Sequence, residues 1–396
     1  LVFTDPIKAS ARDSLARLDR LGVRVKILTG DNDRVARHAC ATLGRPVEAV
    51  ITGAELERMD DRELAGRLGS TTIFARVTPD QKLRVIRAQR GAGIEVGFLG
   101  DGVNDAVALH GCDVGISVDS GSDVAKEAAD VVLLEKDLGI LADGVVEGRR
   151  IFANTVKYVL MGTSSNFGNM FSAAGASLLL GFLPMTPTQI LLNNFLYDVS
   201  EMTIPTDEVD GEQLRQPARW DLGLIQRFML VFGPISSLFD FLTFGMMLWV
   251  FHAGPSLFQS GWFVESLATQ TLIIFVIRTR RTPFFRSRPS LALAATSLAC
   301  VAVGATIPFT PLGRLFGFSP LPALFFAALA AMVAAYLLLV ETAKALFYRR
   351  AVPGRPLAVR VGSRERTIRR WTARWTHPRL PRRRPLPFAG GGSGRG

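Results

Sequence analysis

Cysteine and histidine are scarce in these 396 residues: Cys40, Cys112 and Cys300, with His38, His110, His252 and His377. Three widely separated cysteines build no disulfide framework, and neither residue type falls at zinc-ligand spacing. Charge is missing over a long stretch. Between Ile151 and Phe347 the apolar runs are almost free of Lys and Glu, and the overall apolar share of 48% is high for a wholly soluble chain. Acids are missing from the end: beyond Arg350 stand twelve arginines, no lysine and the single acid Glu365, so this tail carries the whole formal excess of +11. The basic balance is therefore a property of the tail, and it argues against a nucleic-acid face on the folded part.

What is present divides into three parts. Residues 1–150 alternate short apolar runs with charged helical stretches, residues 151–347 hold long apolar runs, and residues 348–396 are rich in Arg and Pro. The tail cannot build a core and reads as disordered, either a solvated extension or a contact for anionic lipid head groups. A hydrocarbon core of about 30 Å needs roughly 20 apolar residues as helix. Six spans are expected, at 156–182, 188–204, 227–251, 262–277, 290–308 and 321–345. Arg215, Arg219, "RTRRTPFFRSR" (278–288) and the arginines after Tyr348 fall on one side of that arrangement, while the other side has Arg314 alone. The positive-inside rule places the first and third parts in the cytoplasm, and the bundle is expected in the plasma (inner) membrane.

In the first part, apolar runs at 23–28, 71–75, 95–99, 113–118 and 130–134 alternate with helical stretches at 33–43, 79–90 and 122–129. That order predicts a parallel sheet covered on both faces, with ligands outside the carboxyl ends of the strands. "TGDN" (29–32) follows the first run and "GDGVND" (100–105) the third. An acidic turn is the plain reading of the second motif. A site for Mg²⁺ and a phosphoryl group is the other, because Gly100 and Gly102 expose backbone N–H groups and oxygen ligands suit Mg²⁺. Asp101 and Asp105, four apart, are expected on one face of the first helical turn. Thr29 and the Gly30 amide suit phosphoryl oxygens, and Lys82 of "TPDQK" suits developing negative charge.

"KILTGDN", "ARVTPDQK", "GDGVNDAVAL" and "AADVVLLEKDL", in that order and followed by a stalk into the apolar half, resemble the C-terminal part of a P-type cation-transporting ATPase. "SSNFGNMFS", "FLPMTPTQILLNNFLYDVSEM" and "QSGWFVESLATQTLIIFVIRTRRTPF" resemble the magnesium-transporting class. The resemblance implies a haloacid-dehalogenase-like, Rossmann-type α/β domain followed by an all-α transmembrane bundle. It implies ATP and Mg²⁺ as cofactors, an aspartyl-phosphate cycle and uptake of Mg²⁺. Asp101 resembles the aspartate holding the catalytic Mg²⁺, with Asn104 and Asp105 supporting the phosphoryl site. Thr29 and Gly30 resemble the pair on the phosphoryl oxygens, Asp31 orders their loop, and Lys82 resembles the lysine paired with the phosphoaspartate. Arg76 and Asp5 resemble residues on the nucleotide and hinge side.

The "DKTGT" motif with the phosphorylated aspartate is absent from the sequence, as is the "TGE" loop. The expectation is a C-terminal fragment whose partner is the missing N-terminal part of the same pump, and which forms no phosphoenzyme alone. A membrane-tethered phosphatase and a truncated, non-catalytic partner are the alternatives. For the transported cation, ionisable groups at membrane depth are costly and therefore candidates. Asn166, Asn169, Asn194 and Asp198 are expected to hold one Mg²⁺, with Glu201, Asp240 and Glu265 weaker. A Ca²⁺ or H⁺ pump remains the alternative.

Overall fold

The computed structural model describes residue 8 and residues 10–215 and 217–351. Asp5 and the arginine-rich tail lie outside the described residues. Helices α1 (Ser10–Arg20), α2 (Asp33–Thr42), α3 (Gly53–Arg58), α4 (Asp61–Arg67), α5 (Pro79–Gly91), α6 (Ala106–Gly111) and α7 (Asp123–Glu127) alternate with strands. The strands are β1 (Ile27–Thr29), β2 (Ala49–Thr52), β3 (Thr71–Ala75), β4 (Gly97–Leu99), β5 (Val114–Val118) and β6 (Val131–Leu133). Local sequence starts the helices where they are needed. Thr78 and Gln81 form a reciprocal capping box with Pro79 at the first helical position, so α5 begins directly after β3.

All strand pairs are parallel, but the expected single sheet is two sheets of three, ordered β1-β3-β2 and β4-β5-β6. β1 and β4 each stand at an edge. No hydrogen-bonded ladder joins them, although Leu28 of β1 packs against the hydrophobic clusters of both halves. β2 is an addition to the expected runs.

The second half begins with α8 (Leu138–Leu179), 42 residues without a break. At 1.5 Å per residue it is about 63 Å long, twice the hydrocarbon thickness. It is followed by α9 (Pro187–Glu201), α10 (Gly211–Leu214), α11 (Leu222–Gly245), α12 (Pro255–Leu272), α13 (Ile274–Ile277), α14 (Leu291–Thr306), α15 (Pro311–Leu315) and α16 (Ala323–Ala351). Among the described residues four helical stretches are long and apolar enough to cross a membrane: Leu222–Val250, Pro255–Ile277, Leu291–Phe309 and Ala323–Arg349. The first two of the six expected spans do not qualify on their own composition. α9 has 15 residues and carries Gln189, Asn193, Asn194, Asp198 and Glu201. α8 is interrupted by Ser164, Ser165, Asn166, Asn169 and Ser172.

Part of this polar set packs on protein: Ser164, Ser165, Ser172, Gln189, Asn193 and Glu201 are buried. α8 lies along α11 at close range: a Cβ on Gly168 would come within 3.0 Å of the Gly233 carbonyl. Ser237 of α11 donates to the Gly168 carbonyl at 3.0 Å. Small residues permitting backbone approach are a usual basis of helix pairing in membranes. α12 stands at the centre of the bundle, with 89% of its apolar stretch buried, against 22% for the outward-facing Ala323–Arg349.

Candidate functional site

Thr29 ends β1, and the loop behind it is tied to the loop after β3. Val77 N–H donates to the Thr29 carbonyl (3.1 Å) and Arg76 N–H to that of Asp31 (3.0 Å). Asp31 N–H donates to Thr29 Oγ1 at 3.0 Å, which fixes the turn and leaves Gly30 exposed. Arg76 is exposed and adopts φ +53°, a left-handed backbone uncommon for any residue but glycine.

Lys82 projects from the first turns of α5 and donates to Asp105 Oδ1 at 2.6 Å, both side chains being mostly buried (12% and 14% exposed). Asp105 closes the 3₁₀ turn Val103–Asp105 that leads into α6. A Cβ on Gly100 would sit 2.6 Å from Asp105 Cβ, so only glycine lets the end of β4 pass this carboxylate. Asp101 lies before the turn and not on it, which corrects the expectation that the two aspartates share a helical face. Asp105 is held by Lys82, whereas Asp101 accepts from Lys136 Nζ at 2.7 Å. Its backbone carbonyl accepts from Ser122 N–H at 2.9 Å. Asn104 stands exposed on the turn between them.

Lys136 does not stand out in the sequence, though it lies near the end of the quoted "AADVVLLEKDL" run. Its ammonium, through a charge-assisted hydrogen bond, holds the Asp101 carboxyl below the usual carboxylate range, and Lys82 adds a weaker pull. A depressed folded value means that the stability this pair lends is present above the ordinary aspartate value of about 3.9 and is lost as pH falls through the folded one. Because Asp101 is half exposed, that contribution is small. Lys136→Met is expected to return the Asp101 titration upward toward about 3.9, read by NMR of ¹³C-labelled aspartate. An unmoved midpoint would assign the depression to something other than Lys136.

In the helical half the expected cation ligands are not gathered into one cluster. Asn166, Asn194 and Asp198 are exposed, while Asn169 is half-buried and its Oδ1 accepts from Ser266 Oγ at 3.3 Å. Asp198 and Glu201 line one cleft between α8 and α9. Asp240, 1% exposed, accepts from Ser172 Oγ (2.6 Å) and Trp262 Nε1 (2.8 Å). Glu265 is fully buried with both carboxylate oxygens lacking a hydrogen-bond partner. Among the described residues no three His, Cys, Asp or Glu side chains come together as a metal-holding group.

Residues 1–113 match the family model for haloacid dehalogenase-like hydrolases, and residues 182–346 match that for the C-terminus of cation-transporting ATPases. The chain is 48% identical over 354 residues to the magnesium-transporting ATPase, P-type 1, of Escherichia coli (strain K12), covering 88% of this chain and 39% of that protein. It belongs to the P-type cation-transporting ATPases. Calcium-transporting ATPase 1 of Bacillus cereus is 34% identical over 54% of this chain and 25% of its own length. The probable cation-transporting ATPase I of Mycobacterium tuberculosis is 37% identical over 50% and 12%. The chain thus spans about two fifths of the length of the magnesium-transporting relatives it matches.

In this P-type chain the α/β half is haloacid dehalogenase-like and the helical half is a membrane region. At the junction lies a charge cluster that the sequence does not announce. Asp207, fully buried, accepts from Lys157 Nζ (2.8 Å), from Arg278 Nε (2.9 Å) and from Ser290 N–H (3.1 Å). It therefore joins α8, the loop after α9, the end of α13 and the start of α14.

Proposed function

We propose that these residues are the C-terminal part of an ATP-driven pump that takes Mg²⁺ into the cytoplasm through an aspartyl-phosphate intermediate. The observation that carries the reading is continuity. α8 starts five residues after the end of β6, packs against α1 of the α/β half, and passes unbroken into the bundle. A displacement at the α/β site is thereby delivered to Asn166 and Asn169 on the same helix.

The α/β residues fit the cofactors that the family implies. Asp101 and Asp105 offer hard carboxylate oxygens, and the glycine cradle at Gly100 leaves no side chain over them. When bound there, Mg²⁺ withdraws charge from phosphoryl oxygens. Thr29 Oγ1 and the Gly30 amide would hold such oxygens, with Asp31 fixing their loop, Lys82 neutralising charge and Asn104 adding an amide. Arg76 lies on the nucleotide side.

For transport, Asn166, Asn169, Asn194 and Asp198 take one Mg²⁺ that keeps part of its hydration shell, with Asp198 as the main charge. The name of the Escherichia coli relative supports magnesium over calcium, and its share of this chain is far larger than that of the calcium-transporting relative. The proposed division is 1–150 in the cytoplasm, 151–347 in the membrane with six helices, and 348–396 as a cytoplasmic tail, either a solvated extension or a contact for anionic lipid. The test is reconstitution of the complete protein in vesicles. Mg²⁺ is expected to stimulate turnover beyond its role as ATP chelate, and Asp198→Asn to abolish uptake. Normal transport by that variant, or indifference to Mg²⁺, sinks the reading.

A further inference from the structure

Two carboxyls meet inside the bundle. Asp240 of α11 is 1% exposed and Glu265 of α12 is fully buried. Their carboxyl groups lie within hydrogen-bonding reach of each other. Both oxygens of Asp240 already accept: Oδ2 from Ser172 Oγ of α8 at 2.6 Å, and Oδ1 from Trp262 Nε1 at 2.8 Å. Trp262 stands three residues before Glu265, so α12 presents both side chains to Asp240 from one face. Glu265 receives no donor. Neither of its oxygens has a hydrogen-bond partner, and the Thr269 hydroxyl goes instead to the Glu265 backbone carbonyl at 3.0 Å. Tyr336 of α16 is the other titratable group beside the pair. Among the described residues no Lys or Arg pairs with either acid.

Two carboxylates in contact, without water or a countercharge, cannot both stay ionised. The ligand that resolves this is a proton. It needs no cavity, and it turns a contact of two acceptors into one charge-assisted O–H···O hydrogen bond. Its place follows from the donors. Ser172 and Trp262 stabilise negative charge on Asp240, whereas no hydrogen bond does so on the Glu265 carboxyl. A divalent ion fits poorly. It takes about six oxygens, the Asp240 oxygens face O–H and N–H donors, and among the described residues no third acid joins the pair. We infer that Asp240 and Glu265 form a proton-binding site, with the proton carried by Glu265 and donated to Asp240. Ser172 lies three residues from Asn169 on α8, and Ser266, next to Glu265, donates to Asn169. The bound proton therefore leaves one negative charge near that residue where two would otherwise stand. It also lets a single carboxylate join α8, α11 and α12. None of this depends on Asp198 as a ligand.

The test is infrared spectroscopy of the full chain in lipid nanodiscs at neutral pH. A protonated carboxyl has a C=O stretch that a carboxylate lacks, and solvated aspartates and glutamates are ionised at that pH. Glu265→Gln keeps the side-chain shape and still offers an N–H to Asp240. It is expected to delete one protonated-carboxyl band from the difference spectrum. Asp240→Asn is expected to keep that band and shift it, because a neutral amide oxygen is a weaker acceptor than a carboxylate. Added Mg²⁺ is expected to leave the band in place. An unchanged protonated-carboxyl signal in Glu265→Gln overturns the inference, even if Asp240→Asn fails to fold. Disappearance of the band on adding Mg²⁺ overturns it as well, since the pair would then be a cation site.

Discussion

Asp207→Ala is expected to cost the helical half about 3–5 kcal/mol, the largest stability loss of any single polar substitution there. The reason is what remains. Lys157 and Arg278, whose side chains are 7% and 1% exposed, would keep buried charges with no carboxylate between them. The Ser290 N–H at the start of α14 would lose its acceptor as well. Lys157 retains only the Glu208 carbonyl at 3.3 Å, and Arg278 the carbonyls of Ser287, Arg288 and, at 3.5 Å, Glu208. Chemical unfolding of the chain in detergent micelles measures the loss. The interaction itself is separable from mere burial: Lys157→Met and Arg278→Met combined with Asp207→Leu should recover most of it, because a well-packed apolar cluster removes all three desolvation penalties. A midpoint in Asp207→Ala equal to that of the parent would mean that the cluster holds nothing together.

Asp207 also marks a limit of what the sequence carries. "TIPTDEVD" reads as an acidic turn, and the partners of Asp207 lie 50, 71 and 83 residues away at Lys157, Arg278 and Ser290. No local pattern links them. The α/β site is different. Parallel strands send their loops to one end, so "TGDN" and "GDGVND" fall on the same side once the strands are recognised, and helix capping at Thr78 brings Lys82 to Asp105. Short elements are harder: β2 is the four residues "AVIT" with one buried side chain, too little for a period to form.

The rotation of a membrane helix is harder still. α9 carries polar residues on both faces: Gln189, Asn193, Ser200 and Glu201 turn inward, and Asn194 and Asp198 turn outward. Composition places all of them at membrane depth without saying which face the bundle. Only packing against α12 and α14 decides it, and that packing makes Glu201 a buried group and Asp198 an exposed one.

Asp101→Asn in the complete protein is expected to lower ATP-dependent phosphoenzyme by about 10²–10³-fold, the usual scale for losing one preorganised electrostatic group. The substitution keeps the size of the side chain and the backbone bond from Ser122 N–H, so the loop stays in place. What it removes is the carboxylate charge, half of the oxygen set offered to the catalytic Mg²⁺. Lys136 then loses its partner, whereas Lys82 and Asp105 keep theirs at 2.6 Å. ATP binding should consequently change little, because Thr29, Gly30 and Arg76 are untouched. Lys136→Met provides the contrast. It frees the Asp101 carboxylate from a competing ammonium, and is expected to leave phosphoenzyme levels within about threefold of normal or to lower the Mg²⁺ requirement. Acid-stable ³²P incorporation, beside nucleotide binding on the same preparations, measures both. Normal phosphoenzyme in Asp101→Asn would remove Asp101 from the metal site. Equal losses in Asp101→Asn and Lys136→Met would mean that the pair acts as a structural clasp of the loop after β4.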